Sequence, residues 1–248
     1  MSAEHKITCG VAISEKANDV HKNMSALIKL RARPQNKGVL AKKRWGKKLV
    51  NEKTDLISVY DIALIFAAKE GNILLAKNLL LNGANTKVAN SHGNTALIMA
   101  SQDSNPNLVK LLLENGSILD ATNAIGNTAL IYAAHNGLLE VVKLLIRKGA
   151  NVNAMNHQGN TPLIYAAFNG YTAVVKYLIE KTNASINLAD LDKRTALMWA
   201  VIRGHEEVVT YLLTQKANMN FMDCLGFNAL DWAKVMQRKN IESKLKEY

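Results

Sequence analysis

The side chains able to do chemistry are few and scattered. The chain of 248 residues holds two cysteines, Cys9 and Cys224, and six histidines, His5, His21, His92, His135, His157 and His205. No ligand cluster with the spacing of a zinc site accompanies the cysteines, so no metal and no other cofactor is expected. Two distant cysteines make no disulfide framework and fit a reducing, intracellular compartment. No G-x-x-x-x-G-K phosphate loop, G-x-S-x-G elbow or H-E-x-x-H helix occurs. His205-Glu206-Glu207 reads as a helix start, where carboxylates complement the dipole. Asp190 and Asp192 fall in a hairpin. The expectation is a protein that is not an enzyme.

Cations, by contrast, are concentrated. The net charge is +11, of which residues 1–55 carry +8 and the remainder +3. Seven basic residues lie between Lys37 and Lys53, interrupted by Val39, Leu40, Trp45, Leu49 and Val50 at roughly helical intervals. Two readings of Lys42, Lys43, Arg44, Lys47 and Lys48 stand open. One is a segment directed to the phosphates of nucleic acid or an anionic membrane, or an import signal. The other is the solvated face of a helix whose apolar side caps the next folded unit of the chain. Upstream, Ser14-Glu15 opens a helix that Pro34 ends. Val11-Ala12-Ile13 is too short for a signal-peptide core, and no stretch approaches 18 apolar residues.

The elements that position these residues recur with a fixed period. Gly93, Gly126 and Gly159 stand 33 residues apart, each followed by Asn-Thr, and Lys193 and Gly226 continue the series. Such a period marks a stacked solenoid, whose units bury their apolar faces only against neighbours. Each unit has two apolar runs, such as Ala129-Leu130-Ile131-Tyr132-Ala133-Ala134 and then Val141-Val142 with Leu144-Leu145-Ile146. Thr95, Thr128, Thr161 and Thr195 sit where a helix N-cap belongs, and Pro162 at a first-turn position that needs no N–H. Gly83, Gly116 and Gly149 follow the second run, where a left-handed residue is wanted. Asn183 takes that role in the fourth unit, which has one extra residue, while Lys216 replaces the glycine in the fifth.

This pattern resembles the ankyrin repeat. Thr161-Pro162-Leu163 comes nearest to the family's Thr-Pro-Leu-His opening, and Gly149-Ala150-Asn151-Val152-Asn153 to its closing segment. The resemblance covers about three quarters of the chain. It implies an all-α ankyrin-repeat solenoid of about six helix-turn-helix repeats joined by β-hairpin loops. The division is a basic, partly helical extension over 1–56 and repeats at 57–89, 90–122, 123–155, 156–189, 190–222 and 223–248. The chain departs from the family at Ile98, Ile131, Ile164 and Met198, which stand in place of its histidine. An apolar contact is expected there instead of a polar brace. The first repeat has Tyr60-Asp61-Ile62 for the Gly-x-Thr opening, and the last has Asn228 for Thr and Asp231 for an apolar residue.

The resemblance further implies protein binding by a non-catalytic scaffold, with contact residues on hairpin tips and first helices, along the concave side. One residue per repeat forms a column there: Phe66, Met99, Tyr132, Tyr165, Trp199 and Trp232. It is either an exposed aromatic stripe or a set of rings packed between repeats and only partly exposed. Ile125, Phe168, Leu191, Ile202 and Phe227 are apolar at positions expected to face solvent, and a contiguous patch of this kind marks an interaction site. The expected binding surface is this patch with Tyr132, His135, His157, Tyr165, Trp199 and Arg203. No small-molecule substrate is expected. The Asn-, Lys- and Ile-rich composition resembles ankyrin proteins of low-GC microbes, including bacteria that deliver such proteins into host cells. On that resemblance the partner is a host protein and the location the host cytoplasm or nucleus.

Overall fold

The structure, a computed structural model, describes residues 58–248. The second of the chain's two units, Tyr60–Tyr248, contains nearly all of them. The basic segment, with Lys42, Lys43, Arg44, Lys47 and Lys48, lies outside the described residues. Among the described residues six helix pairs follow one another. They are α1 (Val59–Lys69) with α2 (Ile73–Leu81), α3 (Ala96–Ala100) with α4 (Pro106–Glu114), and α5 (Ala129–His135) with α6 (Leu139–Arg147). Then come α7 (Pro162–Phe168) with α8 (Thr172–Lys181), α9 (Ala196–Arg203) with α10 (Glu206–Thr214), and α11 (Ala229–Val235) with α12 (Lys239–Glu247).

The first helices begin where the threonines cap them. Thr95, Thr128, Thr161 and Thr195 accept at Oγ1 from the backbone N–H three residues on. In the last repeat Asn228 does the same, and Asp231 accepts in return from the Asn228 N–H, which completes a capping box. First helices then stack on first helices from α3 to α11, and second helices on second helices from α2 to α12. The residues replacing the family histidine, Ile98, Ile131, Ile164 and Met198, are at most 2% exposed, so the expected apolar contact forms. Truncating such a side chain to Ala costs about 2–5 kcal/mol, against about 1 kcal/mol for a cap. Burial between repeats is therefore what holds the stack.

The hairpin loops carry little β structure. Isolated antiparallel bridges join Ala89 to Thr95 and Ala189 to Thr195, and no strand forms among the described residues. Side chains close the loops instead. Asn90, for example, accepts at Oδ1 from the N–H groups of His92 (2.9 Å) and Asn94 (3.0 Å). Successive tips are joined by single backbone bonds: Ala124 N–H to His92 O, His157 to Ile125, Leu191 to Gln158 and Cys224 to Asp192, all 2.9–3.0 Å.

Three local departures have physical causes. Residues 60–62, at the place of the later Gly-Asn-Thr, are helical in α1, and Asp61 Oδ1 accepts from Asn85 N–H at 2.7 Å. Asn183 does not take the left-handed role expected of it. The chain leaves α8 through Thr182 in extended conformation (φ −140°), whose hydroxyl donates to Leu178 O, and the extra residue removes the need for a positive φ. Among the described residues, left-handed backbone is carried instead by three residues other than glycine: Lys193 (φ 58°), Lys216 (φ 61°) and Gln237 (φ 55°).

Candidate partner-binding surface

Each hairpin from the second repeat on holds one short polar residue at the same place: Asn90, Asn123, Asn156, Asp190 and Asp223. One side-chain oxygen always closes the loop by accepting two backbone N–H groups. In Asn123 these come from Ile125 and Asn127, and in Asp223 from Leu225 and Phe227. The second polar atom then points away from the loop, and its chemistry depends on the residue. Asn123 Nδ2 donates to Tyr132 Oη (3.0 Å) and to Asn94 Oδ1 (2.9 Å). Asn156 Nδ2 donates likewise to Tyr165 Oη (3.0 Å) and Asn127 Oδ1 (2.9 Å). An aspartate can only accept there, and its partner is a tryptophan, which can only donate. Trp199 Nε1 donates to Asp190 Oδ2 (2.7 Å), and Trp232 Nε1 donates to Asp223 Oδ2 (3.0 Å).

The exchange of Asn for Asp brings in a cation. Arg194 stands where the earlier repeats have Asn94, Asn127 and Asn160. Its Nε donates to Asp223 Oδ2 at 3.2 Å, and its Nη1 lies 3.4 Å from Asp192. The guanidinium centre sits 5.2 Å from the Trp199 ring and 5.0 Å from the Trp232 ring. Burial alone would raise the Asp223 carboxyl. The hydrogen bonds from Phe227 N–H, Arg194, Leu225 N–H and Trp232 outweigh it and hold the pKa below the ordinary value.

Further rings extend this arrangement. Phe168 meets Trp199 edge to face at 5.1 Å, Phe227 meets Trp232 at 5.3 Å, and the Arg203 guanidinium lies 4.6 Å over Phe168. A continuous series results, Arg203–Phe168–Trp199–Arg194–Trp232–Phe227, across the fourth to sixth repeats. The column is thus no free stripe, and its rings are packed and only partly exposed, as the second reading has it. Met99 is buried, while Phe66, Tyr132, Tyr165, Trp199 and Trp232 are half-buried, and the last four are tied by their polar atoms.

The expected apolar patch is corrected in part. Ile202 is buried, at 8% exposure, rather than facing solvent. Arg238 of the next repeat reaches across the end of α9 and donates to Ile202 O (3.3 Å), and α11 packs on α9. Phe168 and Phe227 are half-buried against tryptophan instead of open. Ile125 (54%) and Leu191 (74%) are exposed on hairpin tips, separated by the tip that carries the exposed His157. His135 is exposed and sets its ring edge-on to Tyr165 at 5.1 Å, apart from the arginine series.

The opposite, second-helix face differs in kind. Lys176–Glu207 (3.2 Å) and Lys143–Glu140 (2.7 Å) are surface ion pairs, each worth little in water. His205 fastens its repeat to the one before, its Nε2–H donating to Phe168 O at 3.0 Å. No cluster of three or more metal-ligating side chains occurs among the described residues.

A family model described as ankyrin repeats (3 copies) matches residues 47–123, 64–156, 118–190 and 182–245. The chain is an ankyrin-repeat protein. No curated protein matches it in sequence. Ankyrin repeats generally mediate protein–protein interaction, and the family is typically a non-catalytic scaffold. In this ankyrin-repeat protein the expected surface lacks two organising residues, Asp190 and Asp223. Their signal is present in the sequence as Asn turning to Asp three residues before the glycine position, with Tyr turning to Trp nine residues on. The two changes are coupled by donor and acceptor matching, which composition alone does not express.

Proposed function

We propose that the chain is a non-catalytic scaffold that holds a partner protein on the hairpin and first-helix face of its third to sixth repeats. The observation that carries this reading is the continuous ring and guanidinium series from Arg203 to Phe227, with Leu191 exposed beside it. Tryptophan and arginine are the side chains that dominate interface energetics. Rings fixed by hydrogen bonds lose little freedom on binding. The microbial composition extends the proposal to a partner in a host cell, in its cytoplasm or nucleus.

A pull-down from host lysate tests it with three full-length proteins, each shown to be folded by circular dichroism. These are the unaltered chain, Phe168→Ala with Leu191→Glu, and Lys42→Glu with Lys43→Glu and Arg44→Glu. The expected result is loss of the partner by the first variant and its retention by the second. Retention by the first and salt-sensitive loss by the second would transfer the function to the basic segment.

A further inference from the structure

Arg203 owes its freedom to a change in how the repeats are stapled. In the third and fourth repeats an asparagine ends the first helix and fastens it to the repeat before: Asn136 Nδ2 donates to Gln102 O (2.9 Å) and Asn169 Nδ2 to His135 O (3.1 Å). The fifth repeat has Arg203 at that place. The carbonyl it would reach, Phe168 O, is taken by His205 from two residues further on, and in the sixth repeat Arg238 likewise staples Ile202 O. With the staple moved two residues along the chain, Arg203 is exposed and makes no ion pair or side-chain hydrogen bond among the described residues. Its guanidinium rests on Phe168, and it lies one helical turn from Trp199, on the same face of α9.

The hairpin side of the same repeat carries a second free cation at a conformational cost. Lys193 occupies the left-handed position that is glycine in four other hairpins, Gly93, Gly126, Gly159 and Gly226. A Cβ at Gly126 or Gly159 would sit 2.7 or 2.8 Å from the backbone of the next hairpin. Lys193 is nevertheless held at φ 58°, exposed, with no carboxylate within ion-pair distance among the described residues. Strain of this kind collects at functional sites.

We propose that Phe168 and Trp199, with Arg203 at one border and Lys193 on the hairpin, form a subsite for an acidic peptide segment. A partner carboxylate pairs with Arg203 beside a large apolar side chain laid on the rings. The proposal rests on the reading that this face binds protein, and it specifies the partner's chemistry. Nucleic acid is disfavoured because tight phosphate binding needs several free cations, and beside these rings the described residues offer Arg203 and Lys193.

The test is selection of a displayed random-peptide library on the full chain, followed by affinity measurement of the enriched synthetic peptides. The expected peptides carry Asp or Glu next to Trp, Phe, Leu or Met. Arg203→Glu should weaken them about tenfold or more, as loss of a charge-assisted bond requires, while Arg203→Lys retains most of the affinity and Lys193→Gly loses a few-fold. Peptides that fail on Phe168→Ala but ignore Arg203→Glu would overturn the acidic subsite and leave the protein-binding face standing. Peptides indifferent to both, or no enrichment at all, would overturn both. Tighter, Arg203-dependent binding of a single-stranded oligothymidine than of any peptide would replace the acidic peptide with nucleic acid.

Discussion

The third and fourth repeats and the fifth and sixth solve the same problem with opposite chemistry. In the former, Asn123 and Asn156 give amide hydrogens to tyrosine hydroxyls and to an asparagine of the preceding repeat. In the latter, Asp190 and Asp223 receive hydrogens from tryptophan, and Asp223 also from arginine. Both sets close the loop and tether a ring. Only the second brings formal charge and a guanidinium between two indoles. A repeat scaffold can thus keep its geometry constant while changing what its surface offers a partner, provided donors and acceptors change together.

The comparison is broken most severely at Asp223. Asp223→Asn sets an amide against the N–H groups of Arg194 and Trp232, and about 3 kcal/mol should be lost. Urea unfolding followed by tryptophan fluorescence measures this, since Trp199 and Trp232 both report from the affected repeats. An unchanged midpoint would show that the carboxylate does not organise the loop.

Exchanging the rings should give an asymmetric result. Tyr165→Trp turns an indole N–H toward the Asn156 amide, donor against donor, and should cost about 1–3 kcal/mol. Trp232→Tyr should cost less, because a hydroxyl can donate to Asp223 as readily as it accepts elsewhere. Asn156→Asp added to Tyr165→Trp should recover part of the loss, read as a non-additive double-mutant cycle.

Acid should separate the two regions as well. The Asp223 pKa is lowered in the folded chain. Its contribution is therefore fully present above the unfolded carboxylate value of about 4 and is lost as pH falls through the lower folded value. Hydrogen exchange during acid titration should show the amides around Asp223 opening before those around the neutral Asn123. Simultaneous opening would deny the difference.

The smallest effect expected is a gain. Lys193→Gly and Lys216→Gly relieve left-handed backbone at about 1 kcal/mol each, seen as a raised Tm. Only Lys193→Gly should also weaken partner binding, since Lys216 follows the second helix α10, away from the ring series.

Much of this was legible in the sequence because a repeat writes its rules several times. The threonine caps, the buried isoleucines in place of histidine and the paired helices all follow from position within the period. What was not legible depends on which partner a side chain finds, whether next to it, nine residues on or in the following repeat. Ile202 occupies the same position as the exposed His135, and nothing local says that Arg238 will cover it. Asn183 looks like a helix-ending residue until Thr182 leaves α8 in extended form. Asp190 reads as an ordinary hairpin residue unless it is set beside Trp199 and its counterparts Asn156 and Tyr165.

The most direct measurement is hydrogen–deuterium exchange of the full chain, alone and with its captured partner. Slowed exchange at the amides of residues 190–203 and 223–232, with residues 123–136 less affected, is the result this account predicts. Protection confined to the second helices α8, α10 and α12, or to the basic segment before residue 57, would contradict it.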